Sequence, residues 1–367
     1  MGIRFFFQCL TFFYMPIYLL NIGLNGFEIG ALIGLFAITA LFASFFIGIL
    51  SDRTPIKNII MAGFLISALF YYLITLTNNF ILLVLIFFLG GIGANLIEIP
   101  VPTLIYKTLD QKRAGTSIGI YYLISTVASA FGFLLGGLLL DIISFTAVFK
   151  ISAVAFLIIT PIGYFITKNK TYNNNIEKYK TDLYKTKVFF LITIVFLFTL
   201  HWGAEQSVYS LYLTNTLGLT TTGAGIFVSI PIIFLGIGQY YVGKNLDKKL
   251  KPRTALYSGL ILSGLGHIGF SYPYLISAFL FRIIHEIGDA FLIIFVMVSI
   301  YKLFPRARIG GLSAIMFTVM VFGRFIGSLI FAPMGTNLGY GIPLAISGAI
   351  MLFALAIAHY KKEIFSI

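Results

Sequence analysis

The sequence is poor in charged residues. Asp, Glu, Lys and Arg together make up 10% of its 367 residues, whereas hydrophobic residues make up 59%. Soluble domains carry about 25% charged residues, so this composition excludes a soluble domain. The apolar residues form blocks of about 20, long enough to cross a hydrocarbon core of roughly 30 Å as helices. The composition therefore predicts an all-α integral membrane protein.

Cysteine and enzyme motifs are also scarce. The single Cys9 has no partner in the chain, which excludes an internal disulfide. The four histidines, at 201, 267, 285 and 359, lack the spacing of a metal-binding motif, and no nucleophile elbow or phosphate-binding glycine loop is present. We therefore expect no enzyme activity, no cofactor and no metal. Without an ATP site, any transport would be passive or driven by an ion gradient.

The net charge of +13 is distributed unevenly. Of 25 Lys and Arg, 22 lie at Arg4, in 53–57, 107–113, 168–187, 244–253 and 302–308, and at Lys361 and Lys362. The connectors between these basic ones contain neither residue type. This alternation is the positive-inside rule, which places both termini in the cytoplasm. The basic charge thus predicts the topology of a multi-pass plasma-membrane protein rather than binding to nucleic acid.

Twelve apolar segments predict twelve spans, six on each side of a long polar segment. The first six lie near 4–21, 28–50, 57–76, 80–105, 116–140 and 146–167. The second six lie near 188–214, 222–243, 254–270, 274–300, 309–331 and 339–360. The polar segment 168–187 carries six lysines. We interpret it as a cytoplasmic linker between the halves 1–167 and 188–367, or as a helix on anionic lipid headgroups.

The two halves are related by an ungapped shift of 195 residues. Matched positions include loop charges and glycines as well as apolar residues, namely Tyr14 with Tyr209, Gly48 with Gly243, Asp52 with Asp247, Lys107 with Lys302, Arg113 with Arg308, and Gly115 with Gly310. Apolar matches arise by chance between membrane segments, but matched charges do not. Two parallel repeats of six spans are typical of secondary transporters.

The segment GILSDRTPIK, 48–57, contains a recognisable signature. Gly48, Leu50, Asp52, Arg53 and Lys57 fit the pattern G-x-L-x-D-R-x-G-x-K, with proline in place of the second glycine. The segment resembles the loop between helices 2 and 3 of the major facilitator superfamily, and GKNLDKK, 243–249, is a weaker copy between helices 8 and 9. The resemblance implies two pseudo-symmetric six-helix bundles. We expect Gly48, Asp52, Arg53 and Asp247 to form a conformational latch at helix ends.

Two further positions bear on the mode of transport. Drug–proton antiporters of this superfamily often carry G-x8-G-x3-G-P-x2-G-G in helix 5, and this chain matches four of the six positions but lacks the proline. Many members also carry an arginine in helix 4 that is associated with proton coupling, where this chain has Phe87. A shift of 195 residues leads from Phe87 to Arg282, so the arginine lies in the second half.

Span 10 carries an unusual group of ionisable residues in FRIIHEIGDA, 281–290. Arg282, His285, Glu286 and Asp289 fall within about 100° of a helical wheel and form one stripe. Charged groups inside a membrane face protein or a water-filled cavity. In the resembling family, helices 1, 4, 7 and 10 line the central cavity. We expect this stripe to carry proton coupling, with Glu286 or Asp289 as the protonatable carboxylate. Structural ion pairs along one helix are the alternative interpretation.

The other predicted lining spans also carry polar or aromatic side chains. We assign Glu205 as a second coupling carboxylate. The substrate cavity is expected to be lined by Gln8, Tyr14, Glu98, His201, Trp202, Tyr209 and Arg324. Arg282 and Arg324 are alternative sites for an anionic group on the substrate. His267 is isolated in its span and is expected to be a packing residue.

The sequence thus predicts a monomeric, proton-coupled secondary transporter that moves a small solute by alternating access, in contact with membrane lipids. Two alternatives remain open. One is efflux of drugs or other amphipathic compounds by proton antiport. The other, from a different class, is a receptor or lipid-handling protein that uses the same scaffold without transport.

Overall fold

The computed structural model describes residues 2–109, 111–165, 181–183 and 185–360, and nearly all of them are helical. Most of the predicted linker, 168–180 and residue 184, lies outside the described residues. In the first half the helices are α1 (Gly2–Phe12), α2 (Met15–Asn21), α3 (Gly26–Arg53), α4 (Ile56–Leu73), α5 (Phe80–Glu98), α6 (Pro100–Thr108), α7 (Ala114–Ile142) and α8 (Phe145–Ile159).

The second half continues the all-helical pattern. Its helices are α9 (Thr186–Ala204), α10 (Thr221–Leu246), α11 (Pro252–Phe270), α12 (Leu275–Leu303), α13 (Ile309–Leu338) and α14 (Gly341–Tyr360). Two π-helical segments, Glu205–Tyr209 and Tyr212–Thr216, follow α9. Short 3₁₀ turns occur at Gln111–Arg113, Thr160–Phe165 and Arg306–Arg308.

Within the described part of the chain, nine helical segments are long and apolar enough to cross a membrane. They are Ile56–Leu73, Phe80–Thr108, Ala114–Ile142, Phe145–Phe165, Thr186–Tyr209, Thr221–Leu246, Leu275–Leu303, Arg306–Leu338 and Gly341–Tyr360. The predicted all-helical architecture is confirmed. The count of twelve spans stays a prediction.

Prolines divide two of the predicted spans. The segment expected as one helix over 4–21 is broken between α1 and α2, where Pro16 lies in the first turn of α2. The segment expected over 80–105 is broken at Ile99, before Pro100. Proline has no backbone N–H to continue the hydrogen bonds of a preceding helix and is tolerated in the first turn of a new one, where Pro16 of α2 and Pro100 of α6 both lie.

The two halves pack through helix pairs that obey the 195-residue shift. In the contact of α3 with α13, a Cβ at Gly48 would lie 2.7 Å from the Gly310 oxygen. In the contact of α7 with α10, a Cβ at Gly115 would lie 2.4 Å from the Gly243 oxygen. These contacts are repeat copies of each other, and only glycine permits so close an approach of two helix backbones.

Candidate functional site

The stripe predicted on span 10 is buried on α12. Arg282, His285, Glu286 and Asp289 are each at most 3% exposed. They face the last turn of α9 and the π-helical segment that begins at Glu205. Isolated π-helical turns are rare and often occur at functional sites. The stripe and the polar face predicted on span 7 therefore form one buried cluster.

Arg282 is the central cation of this cluster. Its guanidinium donates hydrogen bonds to Glu205 and, at 2.5 Å, to Glu286 Oε1. It also lies over the ring of Tyr209, 4.4 Å from the centroid. One guanidinium thus serves two buried carboxylates, because its planar fork presents several N–H groups in different directions. Glu286 and Glu205 come from different helices, so Arg282 ties α12 to the π-helical segment.

His201 and Asp289 meet across the same interface. The Nδ1 atom of His201 contacts the carbonyl oxygen of Phe198, and its Nε2 atom lies 3.2 Å from Asp289 Oδ2. The carbonyl oxygen accepts a hydrogen bond from Nδ1, and the contact of Nε2 with Asp289 needs a second hydrogen between the ring nitrogen and the carboxyl oxygen. Asp289 also accepts hydrogen bonds from Ser263 Oγ at 2.7 Å and Trp202 Nε1 at 3.2 Å.

His285 and Glu205 form a second contact of this kind. The Nδ1 atom of His285 lies 2.9 Å from the Ser263 carbonyl oxygen. Its Nε2 atom lies 3.0 Å from Glu205 Oε1, as an ion-pair contact that is poorly aligned for a hydrogen bond. The three carboxylates of the cluster (Glu205, Glu286 and Asp289) and the single guanidinium of Arg282 together have a net charge of −2 when all are ionised. One proton in each histidine–carboxylate contact would make the cluster neutral.

The expectation that His267 is isolated is wrong. Its ring stacks on His285 with centroids 4.5 Å apart, and its Nε2 atom lies 3.8 Å from Glu205 Oε1. Its Nδ1 atom lies 3.0 Å from Ser347 Oγ, which donates its own hydrogen to the Leu344 carbonyl. The position in sequence gave no sign of this, because α11 brings His267 to the cluster from a third helix.

Part of the cluster has the spacing of a metal site. One ligand atom each from His201, Glu205 and His285 lie within 4.8 Å of one another. The sequence could not reveal this group, since its members come from two segments 80 residues apart. However, the guanidinium of Arg282 already contacts Glu205, so a cation of the protein itself lies at this carboxylate.

A cavity of about 200 Å³ lies between helices of both halves. Its charged groups are Arg4, Glu98 and Arg324, and Trp202 and Phe317 contribute aromatic walls. Arg4 donates to Glu98 and is 3% exposed. Arg4, which the charge distribution places among the basic connectors, is therefore a buried partner of Glu98.

A polar path links this cavity to the buried cluster. A small void lined by Gln8, Glu98, Gln206 and Arg324 adjoins the cavity. Gln8 and Gln206 also line a further cavity of about 190 Å³, together with Glu205, Tyr209 and Arg282. Most of the residues predicted for a substrate cavity therefore line one of these three neighbouring voids.

Tyr14 and Tyr209, which are repeat copies, have different surroundings. Tyr14 is fully buried, and its hydroxyl donates a 2.5 Å hydrogen bond to the Phe133 carbonyl. It lines none of the cavities found among the described residues, so its predicted contact with substrate has no support from its position. Tyr209 lines the cavity beside Arg282.

The predicted latch residues lie at helix ends. Asp52 is buried, accepts a hydrogen bond from the Gly311 N–H of α13 at 3.1 Å, and pairs with Lys107 Nζ at 2.8 Å. Its repeat copy Asp247 accepts from the backbone N–H groups of Gly115 and Thr116, at 2.8 and 2.7 Å. The helix N-termini bound by the two aspartates are themselves repeat copies.

Arg53 and Gly48 complete the predicted latch in different ways. Arg53 is exposed at the last residue of α3. Gly48 lies against α13 one turn before Asp52, where a Cβ would lie 2.5 Å from that of Ala314. The glycine therefore sets the helix separation at which Asp52 reaches the N-terminus of α13.

The opposite ends of α7 and α10 carry a contact that sequence reasoning missed. The carboxylate of Asp141 accepts hydrogen bonds from the hydroxyl of Thr221 and, at 3.1 Å, from the Thr222 N–H at the start of α10. The available signal was an acidic residue at the end of span 5 and the threonines at 220–222. Ser263 and Gln206 were also missed, because neither carries a charge that distinguishes it from packing residues.

Comparison with known proteins shows the family. The sequence profile of the Major Facilitator Superfamily matches residues 1–276 and 191–363. The quinolone resistance protein NorA of Staphylococcus aureus is 26% identical over 257 residues, which cover 68% of this chain and 66% of NorA. The chain thus spans slightly under two thirds of the length of that relative.

Two other comparisons cover nearly the whole chain. An uncharacterised transporter of this type from Methanocaldococcus jannaschii is 24% identical over 363 residues, 95% of this chain and 92% of the relative. The crystal structure of a bacterial homologue of the human lysosomal transporter Spinster, in an inward-facing and occupied conformation, matches with a TM-score of 0.77 at 17% identity. That match covers 99% of this chain and 95% of the other. The chain therefore belongs to the Major Facilitator Superfamily, whose members are multi-pass membrane transporters of small molecules.

Proposed function

We propose that the protein is a secondary transporter that moves a small solute by alternating access and couples this movement to protons. In this proposal the chain has twelve spans in two six-helix halves, 1–167 and 188–367, joined by a cytoplasmic linker at 168–187. Both termini lie in the cytoplasm, and the protein works as a monomer in the plasma membrane. Family membership supports transport, and the alternation of charged connectors supports the orientation.

The observation that carries proton coupling is the pair of histidine–carboxylate contacts, His201 with Asp289 and His285 with Glu205. Each holds one proton between two atoms that otherwise only accept hydrogen bonds. When that proton leaves, the carboxylate faces the lone pair of an imidazole, and the two groups repel. Protonation therefore changes the packing of α12 against the π-helical segment. Ionisable groups buried in a membrane mark ion or substrate pathways by default.

The contacts between aspartates and helix N-termini at the two ends of the helices support alternating access. Asp52 and Asp247 hold helix N-termini at the end that charge alternation makes cytoplasmic, and Asp141 holds one at the opposite end. A charge at a helix terminus stabilises by up to about 2 kcal/mol, so such a contact can break and re-form during a transport cycle. Opening one set while the other stays closed would expose the cavity to each side in turn.

A second candidate is proton-driven efflux of larger amphipathic compounds. Similarity to a quinolone resistance protein favours it. The cavity volume favours the first candidate, because about 200 Å³ is small beside the roughly 300–1,000 Å³ of drug-sized sites. We therefore place transport of a small solute first.

The test is proton movement in proteoliposomes loaded with a trapped pH dye. Small organic acids, amines and quinolones are added in turn, and protein-free vesicles correct for passive permeation. We expect at least one solute to move protons through the wild type. Asp289→Asn and Glu205→Gln should each slow this by about tenfold or more, which corresponds to about 1.4 kcal/mol in the barrier.

Glu28→Gln is the matched control. Glu28 caps α3 in an exposed position, and glutamine serves a capping box equally well, so this variant should move protons like the wild type. Full proton movement in both Asp289→Asn and Glu205→Gln would contradict the coupling assignment. Solute binding without any solute or proton movement would favour a receptor instead.

A further inference from the structure

Arg324 is a cation that the protein leaves uncompensated. It lies on α13, and its side chain lines the central cavity. It forms no ion pair or hydrogen bond with any residue in the described ranges, and its Nε atom is buried without a partner. The side chain is partly exposed at the cavity, so its guanidinium is accessible to a ligand there. The missing partner is therefore expected to come from outside the protein.

The other charges of the cavity cancel. Arg4 and Glu98 form an ion pair with each other, which leaves the cavity with one net positive charge, that of Arg324. Arg282, farther along the polar path, is already compensated by Glu205 and Glu286. The cavity therefore favours a ligand with one negative charge over a neutral or a positively charged one.

The surroundings of Arg324 suit an anion with an apolar body. Its guanidinium lies 5.6 Å from the ring centroid of Trp202 and 5.8 Å from that of Phe317. Stacking on aromatic faces leaves the N–H edge of a guanidinium available for a carboxylate. The hydroxyl of Tyr122, also in the cavity wall, makes no hydrogen bond within the described structure and offers a further donor. Met297 adds apolar surface opposite.

From this geometry we propose that the transported solute is a small organic monoanion, with its acidic group on Arg324 and an apolar or aromatic body against Trp202 and Phe317. This inference rests on the proposed function and names the substrate class of the same site. The cavity volume of about 200 Å³ limits the body to roughly one or two rings or a short alkyl chain.

Trp202 makes direct measurement possible. It is the only tryptophan in the chain, and it lines the cavity beside Arg324. Binding is read from the tryptophan fluorescence of the purified full-length protein in detergent. The probes are phenylacetate, phenylacetamide and benzylammonium, which share an aromatic body and differ in charge, with benzoate and hexanoate as further acids.

We expect a saturable fluorescence change with the acids, and at least about tenfold weaker binding of the amide and the ammonium compound, a difference of about 1.4 kcal/mol. Arg324→Gln should weaken binding of the acids by a similar factor and abolish the preference for acids over the other probes. Arg324→Lys should keep the preference with lower affinity, because lysine keeps the charge and loses the planar fork.

Arg253→Gln is the matched control. Arg253 stacks on Tyr257 at the start of α11, does not line the cavity, and should leave binding unchanged. If Arg324→Gln fails to fold, the probe series on the wild type still decides the matter. Equal binding of acid and amide, preference for the ammonium compound, or no response to any acid would overturn the inference.

The outcome is separable from that of the proposed function. Proton movement driven by an amine, with no preference for acids, would leave coupled transport standing and remove only the anion site. Selective binding of acids in a protein that moves neither acid nor proton would keep the anion site and remove transport.

Discussion

Phe87 and Arg282 occupy the same position of the 195-residue repeat and have opposite surroundings. Phe87 is fully buried and packs against the rings of Phe70 and Phe36, at centroid distances of 5.4 and 6.4 Å. Arg282 is buried among carboxylates and imidazoles. Similar helix packing therefore holds an aromatic core in one half and an ionisable cluster in the other.

This difference indicates that the two halves have different roles. The contacts that join the halves are repeated in both, as the paired glycines and the latch aspartates show. The ionisable cluster around Arg282 is not repeated: among the described residues of the first half, the buried ion pairs are Asp52 with Lys107 at the latch and Arg4 with Glu98 at the cavity. In the proposed function, the shared scaffold would support the alternating movement, and the second half would carry the groups that sense protons.

The largest predicted effect comes from substituting the side chain at this repeat position in each half. Arg282→Gln leaves Glu205 and Glu286 buried without their cation, and breaking a buried pair costs about 3–5 kcal/mol of unfolding free energy. Phe87→Leu keeps an apolar side chain of similar size and should cost about 1–2 kcal/mol. Thermal unfolding of both variants in one detergent ranks them.

A double variant separates charge from packing in this experiment. Arg282→Gln combined with Glu205→Gln should recover part of the lost midpoint, since it removes one of the stranded charges. Equal losses in Arg282→Gln and Phe87→Leu, with no recovery in the double variant, would contradict the view that charge dominates at this position.

The two aspartates of the predicted latch, Asp52 and Asp247, provide a finer comparison. Asp52→Asn leaves the side chain of Lys107, 2% exposed, without its counter-ion, and should lower the unfolding free energy by about 3 kcal/mol. Asp247→Asn removes charge from three hydrogen bonds at the N-terminus of α7 and should cost about 1–2 kcal/mol. Thermal unfolding of the two variants gives the order.

Lys107→Met in the Asp52→Asn background is the diagnostic control, because it removes the stranded cation and should recover stability. A larger loss for Asp247→Asn than for Asp52→Asn would show that the lysine contributes little.

The smallest predicted effect concerns the attachment of the linker. Asp182 accepts hydrogen bonds from Lys185 Nζ at 2.9 Å and from Arg308 Nη2 at 2.7 Å. Arg113, the repeat copy of Arg308, is exposed. Burial alone would raise the pKa of Asp182, but the bonds from Lys185 and Arg308 lower it below its ordinary 3.8. The ionised carboxylate therefore stabilises fully above pH 3.8, and this contribution is lost as the pH falls through the lower folded-state value.

The check is the difference in thermal midpoint between the wild type and Asp182→Asn from pH 7 to pH 3. The difference should be present at pH 7 and shrink in acid. A difference that stays constant with pH would mean that Asp182 contributes through packing alone.

The sequence predicted the elements that depend on local pattern. Apolar runs located the helices, and the spacing of Arg282, His285, Glu286 and Asp289 placed them on one face, because helical periodicity is a local property. The repeat identified Asp52 and Asp247 as equivalent, and the structure places both at helix N-termini.

Contacts between distant helices were not predictable in the same way. Arg4 pairs with Glu98 across 94 residues, and His267 stacks on a histidine of another helix. Such meetings depend on helix packing and on the helix breaks at Pro16 and Pro100, not on spacing along the chain. The pairing of Arg4 was not predicted for this reason.

The central claim is that two histidine–carboxylate contacts of the second half each hold a proton. Nitrogen-15 NMR of histidine-labelled protein at neutral pH tests it directly, because the chain has four histidines and His→Gln variants assign their signals. The account predicts hydrogen on both ring nitrogens of His201 and His285. It also predicts that Asp289→Asn releases the Nε2 hydrogen of His201. Signals from both histidines with hydrogen on Nδ1 alone would contradict the account.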